Sequence, residues 1–190
     1  MLSVEMVAKI QQERMNAIAA KYLHQQRLGN LRRLCQGVDL LGLVVPGLYF
    51  VPRYLTKGTT AHEVIEIVWE ILAAVLLAAA LLRLILKWDT KAEQHFHLLS
   101  ENIDLVHEAD QLIEKQKTVA AYRGEAFIDQ AARIEKADRQ LISGPRDEDR
   151  QWAYREALKE CNAQCPRCTG DPWNYKKGDC QLCGNTVRIA

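Results

Sequence analysis

The chain has 190 residues, and its 25 basic and 24 acidic side chains leave a formal net charge of +1. That balance removes the overall positive field on which non-specific nucleic-acid binding depends. Hydrophobic residues make up 48% of the chain but are gathered into blocks, so their segregation says more than the mean hydropathy of -0.20.

Residues 1–33 are polar, and Val7, Ile10, Ile18 and Tyr22 fall roughly on one helical face. An amphipathic helix is expected, ended by Gly29-Asn30 as a left-handed cap signal. It would face a membrane interface or a partner, or pack on its own chain. No apolar core follows Met1, so a signal peptide is not expected.

Two apolar blocks follow, and residues 34–88 are read as a transmembrane helical hairpin. The first block runs from Leu34 to Val51, interrupted by Gln36 and Asp39 and broken by Pro46. The second runs from Val64 to Leu86, and Thr60-Ala-His-Glu63 has the form of a capping box that starts a helix near Ala61. Its uninterrupted core, Ile71 to Leu82, rises only about 18 Å, short of a hydrocarbon layer of about 30 Å. Ile65 to Leu86 rises about 33 Å, enough if the charges sit among headgroups. Trp69 and Trp88 bracket the block as interfacial aromatics do, and a short loop with Pro52, Lys57 and Gly58 joins the pair. Arg27, Arg32 and Arg33 before the hairpin, and Arg83, Lys87 and Lys91 after it, put both termini in the cytoplasm by the positive-inside rule. A membrane location follows, with the lipid bilayer as first partner. The rival reading is a buried helix pair in a soluble bundle.

Charges in these blocks give pore or oligomer candidates. Asp39, Glu66, Glu70 and Arg83 would each cost about 2.5–3.5 kcal/mol at the bilayer centre and less near its edges. Glu63, Glu66 and Glu70 share one helical face and would line the wet mouth of a homo-oligomeric pore. Ala74 and Ala78 have the small-xxx-small spacing of closely packed membrane helices. The plainer alternative puts the acids in the interface and uses the alanines only to pack two helices.

Residues 89–160 read as cytoplasmic helices. Phe96, Leu99, Ile103, Val106 and Ile113 form a heptad-like seam, expected to pack within the chain or between copies. Ala126, Phe127, Ala131, Ile134, Ala137 and Leu141 continue the pattern up to a break at Ser143-Gly-Pro145. Asp147-Glu-Asp149 then opens a helix containing Trp152 and Leu158. His95 and His97 lie two apart and cannot face together on a helix, while His24, His62 and His107 read as solitary surface or packing residues. Cys35 is expected against lipid or a neighbouring helix. No phosphate-cradling glycine loop and no nucleophile with a base partner stands out, so no enzymatic activity is expected.

Residues 161–190 carry the most specific pattern. Cys165-Pro-Arg-Cys168 and Cys180-Gln-Leu-Cys183 are two CxxC pairs with eleven residues between them. Each short spacing points two thiolates at one ion, and a hairpin return brings in the second pair, so a four-thiolate structural Zn2+ ribbon is expected. Gly184 suits the left-handed residue such a turn needs. Disulfides are the alternative, disfavoured by the absence of a secretory context. Cys161 reads as a free helical thiol or a spare ligand. Lys176 and Lys177 beside Trp173 and Tyr175 make a thin patch for nucleic acid, although small ribbons more often use such aromatics as a miniature core.

The whole pattern is mainly α: a two-helix transmembrane hairpin with cytoplasmic helices and a small C-terminal zinc ribbon. Over residues 1–142 it resembles the SLATT family of bacterial two-transmembrane effectors. The four cysteines resemble the group named mobilome CxxCx(11)CxxC proteins. The resemblance implies a prokaryotic conflict or anti-phage setting, in which a cytoplasmic sensor or signalling partner encoded nearby triggers an effector that permeabilises the inner membrane. The rival class is a membrane-anchored zinc-ribbon module that recruits protein or nucleic acid and forms no pore.

Overall fold

A computed structural model describes residues 1–55, 61–142 and 146–186. It is mainly helical: α1 (Val4–Leu55), α2 (Ala61–Ile85), α3 (Trp88–Glu114), α4 (Ala121–Leu141) and α5 (Asp147–Glu160), with no strand among the described residues. The chain divides into two compact units, Met1–Arg27 with Gln94–Ala190, and Leu28–Glu93.

The first unit is a helical bundle built inside one chain. Ile10, Ala17 and Ile18 of α1 meet Leu105, Ala109 and Leu112 of α3, Phe127, Ala131 and Ile134 of α4, and Ala157 of α5. Val7 and Tyr22 complete the α1 face as half-buried residues, so that amphipathic stripe packs on its own chain. Tyr22 lies edge-on to Trp152 of α5 at 6.0 Å. Arg14 bonds Asp110 of α3 at 2.6 Å, and Lys21 bonds Glu160 of α5 at 2.6 Å.

Two sequence expectations about α1 need correction. The helix does not end at Gly29-Asn30, nor break at Pro46; it is continuous to Leu55, past Pro52. Each glycine costs about 1 kcal/mol against alanine, and an interior proline about 3 kcal/mol or more. Packing on either side outweighs those local costs: Leu28, Cys35 and Val45 are buried, and Tyr49 stacks on Trp69 at 4.4 Å.

The seam of α3 is also rotated by about one residue from the expected one. Buried positions are His95, Leu98, Asn102, Leu105, Val106, Ala109 and Leu112; of the expected seam, Val106 is buried, Leu99 and Ile113 are half-buried, and Phe96 and Ile103 are exposed. The expected seam therefore runs along the edge of the buried face, because polar side chains hold two positions at its centre. In α4 the buried set of Phe127, Ala131 and Ile134 is as expected, with Asp138 added and Ala126 exposed. Helix α5 begins at Asp147 with three acids in its first turn, where they oppose the positive end of the helix dipole.

In the second unit, α1 and α2 run antiparallel, since Tyr49 meets Trp69 while Asp39 meets Arg83. Helix α2 begins at Ala61 as the sequence suggested; the capping Thr60, the loop residues Lys57 and Gly58, and the Ser143–Pro145 break lie outside the described residues. Its half-buried face is Ile65, Glu66, Trp69, Leu72, Leu76, Ala79 and Arg83. Among the described residues one helix is long and apolar enough to cross a membrane, Glu63–Ile85, and none of it is buried. Most exposed large apolar side chains of the chain fall between Leu34 and Leu86.

Candidate metal centre

The C-terminal cysteines converge although they come from two separate turns. Sγ atoms of Cys165, Cys168, Cys180 and Cys183 all lie within 4.8 Å of one another, with Cys165 to Cys180 at 3.9 Å and Cys168 to Cys183 at 3.5 Å. Metal–sulfur bonds of 2.3 Å in a tetrahedron put sulfurs about 3.8 Å apart. Disulfide sulfurs would be about 2.05 Å apart, so this is the spacing of a ligand set. The four side chains are 1–3% exposed.

Backbone geometry explains the convergence. Each CxxC closes a tight turn: Thr169 N–H donates to Cys165 O at 2.8 Å, and Gly184 N–H donates to Cys180 O at 2.7 Å. Gly184 has φ +71, a left-handed backbone that favours glycine, and a Cβ there would also stand 2.7 Å from the Gln151 Oε1 of α5. The eleven-residue return forms a single antiparallel bridge, Lys177 to Asn185, in place of a strand pair. Gly178 is needed because the chain passes so close that a Cβ would fall 2.3 Å from the Thr186 Cα. Asn185, which the sequence reading missed, is buried and accepts a bond from Lys176 N–H at 3.0 Å, tying the return together. Its only sequence signal was an asparagine one residue after Gly184.

The centre is docked on the bundle. Leu158 is buried against the cysteines, flanked by Met15 and Tyr154. Arg155 donates to Cys183 O at 2.9 Å and stacks over Tyr175 at 3.7 Å, while Lys159 lies 5.5 Å from the ring of Trp173. Trp173 is 67% exposed.

Electrostatics differ among the thiols. Burial pushes Cys180 up, but N–H groups of Cys183 and Leu182 donating to its sulfur outweigh this and hold it down at about 7. Burial raises Cys168 despite the N–H of Gly170, and raises Cys183 further. One thiol therefore ionises readily while at least two resist, and a divalent cation removes the resistance by taking the charge of all four. The donor set fits a soft tetrahedral ion held in a closed structural site. Cys161 is not part of it; its sulfur accepts a bond from Arg14 Nη1 at 3.0 Å.

Other candidates are distributed differently. Arg83 is paired with Asp39 and makes two 2.8 Å bonds to Asp89. The structure thus joins two residues that the sequence offered separately, and adds Asp89. Cys35 is buried against this cluster, facing a neighbouring helix. Glu66 lies on the half-buried side of α2, while Glu70, Ala74 and Ala78 are exposed. The two alanines therefore do not pack α2 on α1; Leu72, Leu76 and Ala79 face that way. His97 is exposed beside Glu101 at 3.5 Å, and His107 is exposed. His24 and His95, read as unconnected, are buried together.

Comparison with known proteins gives one finding. A family model described as mobilome CxxCx(11)CxxC protein matches residues 7–186, which takes in both units and all four cysteines. No curated protein and no solved structure matches the chain.

Proposed function

Because the chain belongs to the mobilome CxxCx(11)CxxC protein family, we propose that it is an inner-membrane effector of a prokaryotic conflict or anti-phage system. The single observation that carries this reading is α2 from Glu63 to Ile85, long and apolar enough to cross a membrane and without a buried residue. Soluble monomers rarely leave a continuous apolar surface of that kind in water, and lipid is the solvent that suits it. In this reading α1 crosses the bilayer beside α2, giving the two-span hairpin of a SLATT-type effector. Asp39 and Arg83 cross as a pair, which removes most of the cost of two separate charges. Both termini then lie in the cytoplasm, as the flanking arginines and lysines favour.

Copies associate through the outer face of α2, where exposed Ala74 and Ala78 allow close helix approach and Glu70 faces the same way. The bundle and its metal centre receive the signal from a cytoplasmic partner. Zn2+ is the ion that four thiolates with no open position favour. The test is dye leakage from liposomes containing the reconstituted protein. Wild type should leak, and the variant Glu66→Leu with Glu70→Leu should insert equally well and not leak. Unchanged leakage would remove the acids from the pore.

A second reading, a membrane-anchored recruiter without a pore, is favoured by exposed Trp173 with Lys159, Arg155 and Tyr175 beside it. Cations and aromatics together suit single-stranded nucleic acid. Protein that binds an oligonucleotide but never leaks liposomes would support that reading over the first.

A further inference from the structure

The most deeply buried polar cluster of the bundle lies outside the cysteine centre. His24 of α1 has no exposed surface, and His95 and Asn102 of α3 and Asp138 of α4 are 4%, 1% and 8% exposed. His24 Nε2 lies 2.8 Å from an Asp138 carboxylate oxygen, and His24 Nδ1 lies 2.8 Å from His95 Nδ1. Asn102 Nδ2 donates to Leu98 O at 2.9 Å and to Asp138 at 3.2 Å. Three helices therefore meet through one chain of hydrogen bonds.

Proton counting along that chain is restrictive. An ionised carboxylate only accepts, so Asp138 fixes a proton on His24 Nε2. Neutral His24 then offers a lone pair at Nδ1, and His95 donates its Nδ1–H to it. Protons on every nitrogen of both rings would set N–H against N–H across the same 2.8 Å, with both rings positive. That arrangement has no acceptor and must open.

We propose that the His24–His95–Asp138 chain is a proton-binding switch that clamps α1 to α3 and releases them when both rings are protonated. The charged groups around it come from its own three helices and from α5. Asp138 shares a cavity of about 20 Å³, room for one water, with Glu13 of α1 and Glu135 of α4, and a larger groove with Arg139 of α4 and Asp147 and Arg150 of α5. Glu135 bonds Arg139 at 2.6 Å, His97 and Glu101 of α3 face each other at 3.5 Å, and Lys21 of α1 bonds Glu160 of α5 at 2.6 Å. His24 stands four residues before Leu28, and His95 two residues after Glu93, the limits at which α1 and α3 leave the bundle unit. Opening here loosens both helices at those ends. The inference concerns the bundle alone and does not depend on pore formation.

The test is amide hydrogen exchange of the full-length, zinc-loaded protein from pH 8 to pH 5, corrected for intrinsic rates, with zinc release followed in the same samples. Toward the acid end of this range, protection of residues 18–27 and 95–102 should fall by at least about tenfold per pH unit, the signature of proton uptake on opening. Protection of residues 126–134 should hold, and the fall at residues 18–27 and 95–102 should begin at a pH where zinc is still bound. His95→Gln can bond His24 in either sense and takes up no proton, so its slope should be flat. Imidazole ¹⁵N spectra of the wild type give a second readout that needs no variant: His24 protonated on Nε2 and His95 on Nδ1 at pH 7.5. Flat protection in the wild type, an unchanged slope in His95→Gln, a loss shared by residues 126–134, or the opposite tautomers would each overturn the switch.

Discussion

Metal binding at the four cysteines should depend steeply on pH, by an amount set by the thiols themselves. Cys168 and Cys183 are raised above the ordinary thiol range by burial, so each still carries its proton at neutral pH, and Cys180, held at about 7, is half protonated there. A thiolate site must expel these protons, which is at least about two and a half per ion even before Cys165 is counted. Each displaced proton makes apparent affinity fall tenfold per pH unit as pH drops, so from pH 7 to pH 6 the loss should be at least about 300-fold. The sign follows from the raised thiols: protons favour the empty ligand set, and acid releases the metal. Competition against a chromophoric chelator of known pH dependence measures the slope, and proton release on adding metal to weakly buffered protein counts the protons directly. Release of fewer than two protons per ion would refute a four-thiolate centre, because a pre-formed disulfide or a two-cysteine site would give such a count.

Further substitutions probe the parts that build and support the site. Gly184→Ala forces a side chain into a left-handed position and against Gln151; it should cost about 1–2 kcal/mol and weaken zinc retention in the same chelator competition. Phe127→Ala empties the largest fully buried side chain of the bundle and should lower unfolding stability by about 3–5 kcal/mol in a denaturant titration. Asn102→Leu strips Asp138 of a donor and should cost about 1–3 kcal/mol, read as a fall in Tm. Arg83→Leu frees Asp39 and Asp89 from their shared partner and should speed maleimide labelling of Cys35; an unchanged rate would show that the ion pairs do not hold α1 to α2.

The four-cysteine cluster was legible in the sequence, because two CxxC pairs fix thiol geometry through short-range turns. So were the start of α2 at Ala61 and that of α5 at Asp147, which rest on local cap and dipole chemistry. Local signals misled where tertiary packing overrides them. Gly29 and Pro46 have the marks of helix breakers, yet burial of neighbouring Leu28 and Val45 carries α1 through both. The α3 seam was displaced for a different reason. A hydrophobic template excludes His95 and Asn102, and only the presence of His24 and Asp138 from other helices makes them core residues. Their partners are 71 and 36 residues away, beyond any local pattern. The Asp39–Arg83 pairing was hidden in the same way, since charge pairs across a hairpin have no period to read.

Lipid contact of α2 can be measured most directly with a spin label at Val75→Cys, in a protein carrying Cys35→Ser and Cys161→Ser and reconstituted in liposomes. A helix bathed in acyl chains predicts strong collisions with oxygen and almost none with a water-soluble nickel complex. A label that meets nickel as freely as an exposed site on the bundle would place this surface in water, and the membrane reading would fail.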